Sequence, residues 1–122
     1  MTEKFKQFDL EDRTYIFARE VREFVRLISK TVGNIEDGKQ LVRSSGSVGA
    51  NYIEANESFS KKDFIMRIKI SRKEAKESNY WLKLVDSGGD KLIEEKRKKL
   101  CKESLELMKI FGAIIRKSEA KV

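Results

Sequence analysis

Apolar residues recur along the chain at alternating spacings of three and four, the period at which side chains share one face of an α-helix. The first stretch with this spacing predicts an amphipathic helix over residues 10–32. Its apolar stripe consists of Phe17, Val21, Phe24 and Ile28. Acidic residues in its first turn and Lys30 near its end are typical of helix termini, because they complement the helix dipole.

The second stretch contains the sequence SSGSVGAN, whose glycine and serine residues disfavour helix. The spacing of three and four continues through it without a proline, so we predict a helix over residues 36–59. Its stripe consists of Leu41, Ser45, Val48, Tyr52, Ala55 and Phe59. Because Gly46, Gly49 and Ala50 are small, we expect the third helix to approach the second closely at this point.

Two further helices are predicted over residues 61–87 and 91–118. Ser60 has the position of an N-cap, since Asp63 follows three residues later. Residues 87–90 supply two glycines for a turn and then Asp90 as a second N-cap. The stripe of the third helix is Phe64, Ile68, Ser71, Ala75, Ser78, Leu82 and Val85, and that of the fourth is Ile93, Leu100, Ser104, Leu107, Phe111 and Ile114.

Short connections place consecutive helices antiparallel, so the sequence predicts an all-α, up-down-up-down four-helix bundle. The chain of 122 residues has the size of one domain. We expect the bundle to occupy residues 9–118, with an N-terminal extension over residues 1–8 and a C-terminal tail over residues 119–122.

Composition restricts the chemistry. The chain has no histidine, which removes the commonest general base and metal ligand. Cys101 is the only cysteine, so neither an internal disulfide nor a multi-thiolate metal site can form. We therefore expect no enzyme, no metal and no cofactor. The first residues lack the apolar core of a signal peptide, and no run is long enough to span a bilayer, so we expect a soluble, cytoplasmic protein with no membrane partner.

Positive charge is concentrated in the second half of the chain. The formal net charge is +7, and most of the excess lies in residues 61–76 and 91–102. Such patches are typical of surfaces that contact phosphate groups, although a solvated lysine-rich face is the alternative. The candidate nucleic-acid-binding residues are Lys69, Arg72, Lys73, Lys76, Arg97, Lys98 and Lys99.

Three segments resemble one bacterial family. They are SSGSVGANYIEA at residues 44–55, Phe64-Ile65 after a basic turn, and KEAKESNYWL at residues 73–82. The chain resembles the 23S rRNA intervening-sequence protein family over residues 9–111, and the accessory variability determinant of diversity-generating retroelements is among that family's relatives. One residue departs from the family pattern: Glu54 is followed by Ala55 instead of glycine, so we expect the second helix to continue for another turn.

The resemblance implies a four-helix bundle. By analogy with the retroelement accessory protein, it also implies a ring of five subunits that presents a basic surface to RNA or DNA and to a reverse transcriptase. The resemblance does not imply that the protein is an enzyme.

Charged and polar residues on facing sides of the second and third helices predict a polar seam. Antiparallel partners around a turn at Ser60 have residue numbers that sum to about 120. The expected contacts join Arg43 to Glu77, Ser47 to Glu74, and Glu54 to Arg67. Glu74 and Glu77 could alternatively act in acid-base chemistry or hold a metal, but the facing arginines favour the structural interpretation.

Four side chains, among them Asn51 of the polar seam, also have two interpretations. Asn51 either satisfies a helix backbone or a subunit contact, or binds a ligand in an open groove. Tyr80 and Trp81 either make core or subunit contacts or stack on bases, and we favour the contacts. Cys101 is interpreted as a packed residue rather than a reactive thiol.

These observations give three hypotheses for the function. The first is an oligomeric, basic, non-enzymatic accessory protein that binds nucleic acid. The second is a protein scaffold, or a reverse-transcriptase accessory protein with no direct role in nucleic-acid binding. The third is an enzyme with Glu74, Glu77 or Asn51 in an open pocket, and it has the least support because histidine is absent.

Overall fold

A computed structural model describes residues 2–120 of the chain, with side chains from Leu10 onward. Over these residues the protein consists of four α-helices and has no strand, which confirms the predicted fold class. The helices are α1 (Thr2–Leu27), α2 (Val32–Asn56), α3 (Lys61–Leu84) and α4 (Lys91–Glu119).

Each helix packs against its neighbours in the chain, and α4 closes the bundle by packing against α1. Except for Phe59, the apolar residues of the predicted stripes belong to one core or pack against it. Its largest fully buried side chains include Phe17, Phe24, Leu41, Ile68, Leu82, Leu107 and Phe111.

Single hydroxyl and carboxylate groups determine where three helices begin. Ser60 Oγ accepts from the backbone N–H of Asp63 at 3.1 Å, and Asp90 Oδ1 accepts from that of Ile93 at 3.1 Å, as predicted. Thr31 Oγ1 accepts in the same way from Asn34 N at 3.1 Å, which starts α2 four residues before its predicted position. The predicted end of α1 at residue 32 is therefore wrong, since α1 ends at Leu27.

The side chain of Asn34 joins the two loops at one end of the bundle. Its Oδ1 accepts from the backbone N–H of Asp86 at 2.8 Å, and its Nδ2 donates to the carbonyl oxygens of Ser29 and Asp86, both at 2.9 Å. Three of the four hydrogen bonds that an amide can make are therefore directed at backbone groups that lie outside the helices.

The predicted extra turn at the end of α2 is absent. The helix stops at Asn56, and the backbone N–H groups of Glu57 and Ser58 bond to the carbonyls of Glu54 and Ala55. Phe59, predicted to end the apolar stripe of α2, lies beyond the helix and is fully exposed.

The other predicted helix ends also differ from the structure. Helix α3 ends at Leu84 rather than residue 87, and α4 continues through Glu119, the first residue of the predicted tail. Helix α1 begins at Thr2, so the predicted extension is helical from residue 2. Residues 121 and 122 of the predicted tail lie outside the described residues.

Gly46 and Gly49 of α2 face α1, which corrects the prediction that they bring α2 and α3 together. A Cβ on Gly49 would lie 2.8 Å from Thr14 Oγ1, and a Cβ on Gly46 would lie 3.3 Å from Arg22 Nη2. Only glycine at position 49 allows the two backbones to come this close. Ala50 lies beside them, in the groove between α1 and α2.

Candidate nucleic-acid interface

Arg43 contacts Glu74 and Glu77, the two carboxylates that the predicted polar seam places on α3. Its Nη2 lies 3.1 Å from Glu77 Oε1, as expected, and 3.3 Å from Glu74 Oε1. Glu74 is only 8% exposed, so Arg43 supplies the positive charge beside a nearly buried carboxylate. The contact partner predicted for Glu74 was Ser47, and Arg43 takes that place.

Asn51 occupies the next position along the seam. It accepts from Arg67 Nη1 at 3.0 Å, and its Nδ2 donates to the carbonyl oxygen and the hydroxyl of Ser47, both at 2.9 Å. Among the described residues, Arg67 therefore pairs with Asn51 and not with Glu54. The amide of Asn51 satisfies a helix backbone carbonyl, the first of its two interpretations.

Buried serines hold α2 and α3 together, a role that the sequence analysis missed. Ser44 Oγ and Ser78 Oγ lie 2.9 Å apart, and Ser71 Oγ donates to the carbonyl oxygen of Val48 at 2.9 Å. All three serines are fully buried. Their positions on or beside the apolar stripes were the available signal, because a hydroxyl at a core position needs a partner.

Four basic residues of α3 lie along the side that faces α4. Their spacing of three, four and seven residues keeps them on one side of the helix. Lys69 forms an ion pair with Glu119 of α4 at 3.3 Å, and Arg72 approaches Gly112 of α4. All four are exposed: Lys69, Arg72, Lys76 and Lys83.

Helix α4 carries a matching row. Lys98, Lys102, Lys109 and Arg116 are separated by four, seven and seven residues, all are exposed, and they share a side with Gly112. We call these eight residues of α3 and α4 the α3/α4 basic surface. Two carboxylates, those of Glu106 and Glu119, form ion pairs with its lysines.

Arg97 does not belong to this surface, although it was predicted to bind nucleic acid. Its side chain is only 13% exposed and donates to the carbonyl oxygens of Leu82 and Val85, both at 2.6 Å, and to Glu94 at 2.8 Å. It therefore satisfies carbonyls at the C-terminal end of α3.

The run of three cations at residues 97–99 is divided among different sides of α4, because consecutive helical residues point about 100° apart. Lys98 is part of the α3/α4 basic surface. Lys99 lines a hollow between α1 and α4, and the other charged residues of that hollow are Glu20, Glu23, Arg26 and Lys96. Lys73 is exposed on α3, next to the row rather than in it.

The two adjacent aromatic residues of α3 differ in exposure. Trp81 packs against the core, with its ring centroid 5.0 Å from that of Tyr80 in an edge-to-face contact. Tyr80 is 58% exposed and lies between Lys76 and Lys83 in the sequence, one turn from each. Trp81 thus fits the predicted core contact, and Tyr80 presents an accessible ring beside basic residues.

Two side chains at the N-terminal half of α4, Cys101 and Glu94, have shifted pKa values. Burial raises the pKa of the Cys101 thiol, which disfavours the thiolate form. The hydroxyl of Ser87, which donates to Glu94 at 2.8 Å, lowers the pKa of that carboxyl, and Arg97 adds to the effect.

The opposite side of the bundle has little charge excess and more apolar surface. Helices α1 and α2 enclose two hollows of about 460 and 490 Å³, one near each end of the groove between them. Exposed Tyr15, Ile35 and Ile53 line them. This α1/α2 groove is therefore chemically distinct from the α3/α4 basic surface.

No cluster of three or more acidic or cysteine side chains is placed to hold a metal ion within residues 10–120. No helix in the described part of the chain is both long and apolar enough to cross a membrane.

The fold and the charge distribution define a four-helix bundle with one strongly basic side. The sequence model of the 23S rRNA-intervening sequence protein family matches residues 6–113, and the chain belongs to this family. No curated protein matches the chain.

A solved structure supports the same assignment. It is a protein of unknown function from the S23 ribosomal protein family of Bacteroides thetaiotaomicron VPI-5482, and it is similar to this chain with a TM-score of 0.75 and 30% sequence identity. The similarity covers 86% of this chain and 96% of that one.

Proposed function

We propose that this protein is a non-enzymatic nucleic-acid-binding protein whose α3/α4 basic surface contacts the phosphate backbone. The observation that carries the proposal is the alignment of eight exposed cations along two adjacent helices, with two carboxylates paired to them among the residues that the structure describes. Contacts with phosphate groups require accessible, positively charged side chains, and they do not depend on the base sequence of the nucleic acid.

The dimensions of the surface favour an extended polyanion over a small anionic ligand. At 1.5 Å per residue, the row on α3 spans about 21 Å and the row on α4 about 27 Å. Several consecutive phosphates of a nucleic-acid strand fit within that length. Tyr80 adds a ring on which an unpaired base can stack.

The absence of histidine and the environment of the acidic residues support a non-enzymatic role. Glu74 and Glu77 both form ion pairs with Arg43, so neither carboxylate is left unpaired to face a substrate or a metal ion. Asn51 donates and accepts within the seam and leaves little capacity for a ligand.

A charge-reversal pair tests the proposal. Lys76→Glu is expected to weaken RNA binding several-fold for all sequences alike, because it places a carboxylate within the α3/α4 basic surface. Lys39→Glu makes the same change in net charge on α2 and should have little effect. Binding measured by fluorescence anisotropy at low salt compares the two. Equal losses of RNA affinity in the two variants would mean that binding depends on net charge alone, and they would contradict the α3/α4 basic surface as the binding site.

The second candidate is a scaffold that self-associates or binds a partner protein, such as a reverse transcriptase, through the α1/α2 groove. Exposed Tyr15, Ile16, Ile35 and Ile53 on these two helices favour it. Association through this groove would leave the α3/α4 basic surface on the outside of an oligomer, including a pentameric ring.

Light scattering in solution decides whether the protein self-associates. A multimer that dissociates on Ile53→Lys would support the α1/α2 groove as its interface, whereas a monomer would remove the ring. A protein partner retained in high salt after nuclease treatment would support the scaffold over the nucleic-acid-binding protein.

A further inference from the structure

Two arginines from different helices converge on one point of the α3/α4 basic surface. A methyl group placed on Gly112 of α4 would lie 3.4 Å from Nη1 of Arg116 and 3.6 Å from Nε of Arg72. Since both nitrogens lie that close to one point, they can be no more than about 7 Å apart. Gly112 itself is buried, so it forms the floor beneath the two guanidinium groups.

Neither guanidinium has an anionic partner among the residues that the structure describes. The other arginines near carboxylates behave differently: Arg13 binds Glu103 with two hydrogen bonds, and Arg43 and Arg97 each contact glutamate. The described ion pairs on this surface join Glu119 to Lys69 and Glu106 to Lys109. Two like charges held this close favour an anion between them.

The geometry fits one phosphate group. A guanidinium presents several N–H donors in a planar fork that matches the oxygens of a phosphate. Two hydrogen bonds of about 2.9 Å to different oxygens of one phosphate can bridge nitrogens at this separation. Glycine is a poor residue for a helix interior, and here the missing side chain leaves the space between the two arginines open.

We propose that Arg72 and Arg116 form a phosphate-binding site over Gly112 that holds one backbone phosphate of a bound nucleic acid. This inference rests on the proposed function, and it adds a defined point of attachment to a surface that would otherwise act only through its overall charge. The lysines around the site then contribute general attraction, while the arginine pair fixes where the strand lies.

A double-mutant cycle distinguishes a shared site from general charge. Arg72→Gln and Arg116→Gln should each weaken RNA binding about tenfold, and the double variant should lose clearly less than the product of the two single effects, because the variants disrupt one site. Lys76→Gln and Lys102→Gln, on the same two helices, serve as the matched control, and their effects should multiply.

The conservative variants Arg72→Lys and Arg116→Lys should recover only part of the affinity, since they retain the charge and lose the planar fork. Multiplicative effects in the arginine cycle, or full recovery with lysine, would overturn the site. Unchanged thermal unfolding of the variants verifies that these exposed substitutions leave the fold intact.

A second arm separates failure of the site from failure of the proposed function. The arginine Nε–H signals are followed by NMR while inorganic phosphate, and then a short RNA, is added. Shifts of both Arg72 and Arg116 with phosphate and with RNA support the site. Shifts with phosphate but no RNA binding would contradict nucleic acid as the ligand, and absence of any shift with phosphate would contradict the site itself.

Discussion

Arginine side chains in this protein differ in what they contact, and the contact determines their role. Arg43 neutralises carboxylates within the bundle, Arg97 satisfies backbone carbonyls at a helix end, and Arg72 remains on the surface. All three have the same charge in the sequence. The sequence pattern places each of these arginines on a helix. It does not show which backbone carbonyls the end of α3 leaves without a partner, because the position of that end depends on tertiary packing.

The contact of Arg43 with Glu74 predicts a measurable loss of stability. Arg43→Met removes the cation beside a nearly buried carboxylate and should lower the free energy of unfolding by about 1 kcal/mol. Lys39→Met breaks the solvent-exposed pair with Glu36 at 3.5 Å, and its effect should stay below about 0.5 kcal/mol. Urea denaturation compares the two variants, and similar losses would show that the seam is no stronger than a surface pair.

The Ser87 hydroxyl predicts a pH effect at Glu94. Because the pKa of Glu94 is lowered in the folded state, its contribution to stability is present above the unfolded pKa and is lost as the pH falls through the folded pKa. Ser87→Ala should therefore raise the pKa of Glu94 and destabilise the protein more at neutral pH than near pH 2. Carboxyl titration by NMR measures the shift. Ser58→Ala, far from this site, should leave the Glu94 pKa unchanged, and an unchanged value in Ser87→Ala would refute the assignment.

At the scale of the helices, the apolar spacing was sufficient to predict the number, order and packed side of all four elements. Their ends were less predictable. Helix α2 starts early because Thr31 caps it while Asn34 binds the adjacent loop. Helix α3 stops where Arg97 donates hydrogen bonds to its last carbonyl oxygens. Such ends depend on contacts between residues far apart in the sequence, which a local pattern does not contain.

The glycines of α2 provide a test of the packing between α1 and α2. Gly49→Ala should destabilise the protein by about 1–3 kcal/mol, since the new Cβ would lie 2.8 Å from Thr14 Oγ1 in a tightly packed interface. Gly33→Ala, in the first turn of the same helix, meets nothing within 4 Å and should stabilise it by about 0.5–1 kcal/mol. Thermal unfolding measures whether each variant gains or loses stability. A gain of stability in Gly49→Ala would contradict the close approach of α1 and α2.

At the scale of the whole molecule, charge divides the bundle into two halves. Helix α3 carries eight basic and three acidic residues and α4 nine and five, whereas the six basic and six acidic residues of α1 balance. Sequence analysis located this excess and four residues of the α3/α4 basic surface. It missed Lys83, Lys102, Lys109 and Arg116 as members, because their alignment with α3 follows from how the two helices pack.

The apolar α1/α2 groove and the α3/α4 basic surface lie on opposite halves of the bundle. Two kinds of contact can therefore form at the same time, with protein on one side and nucleic acid on the other. In an oligomer the basic surfaces of several subunits would act together and strengthen the attraction for a polyanion.

The dependence of RNA affinity on salt concentration tests the central claim most directly. Each phosphate contact releases counterions, so the logarithm of the association constant should fall linearly with the logarithm of salt concentration, with a slope of about −2 or steeper if three or more phosphates of a single strand are engaged. This measurement on the unmodified protein needs no assumption about sequence preference. Tight binding at low salt with such a slope is the predicted result, and either no binding at low salt or an affinity independent of salt would contradict the account.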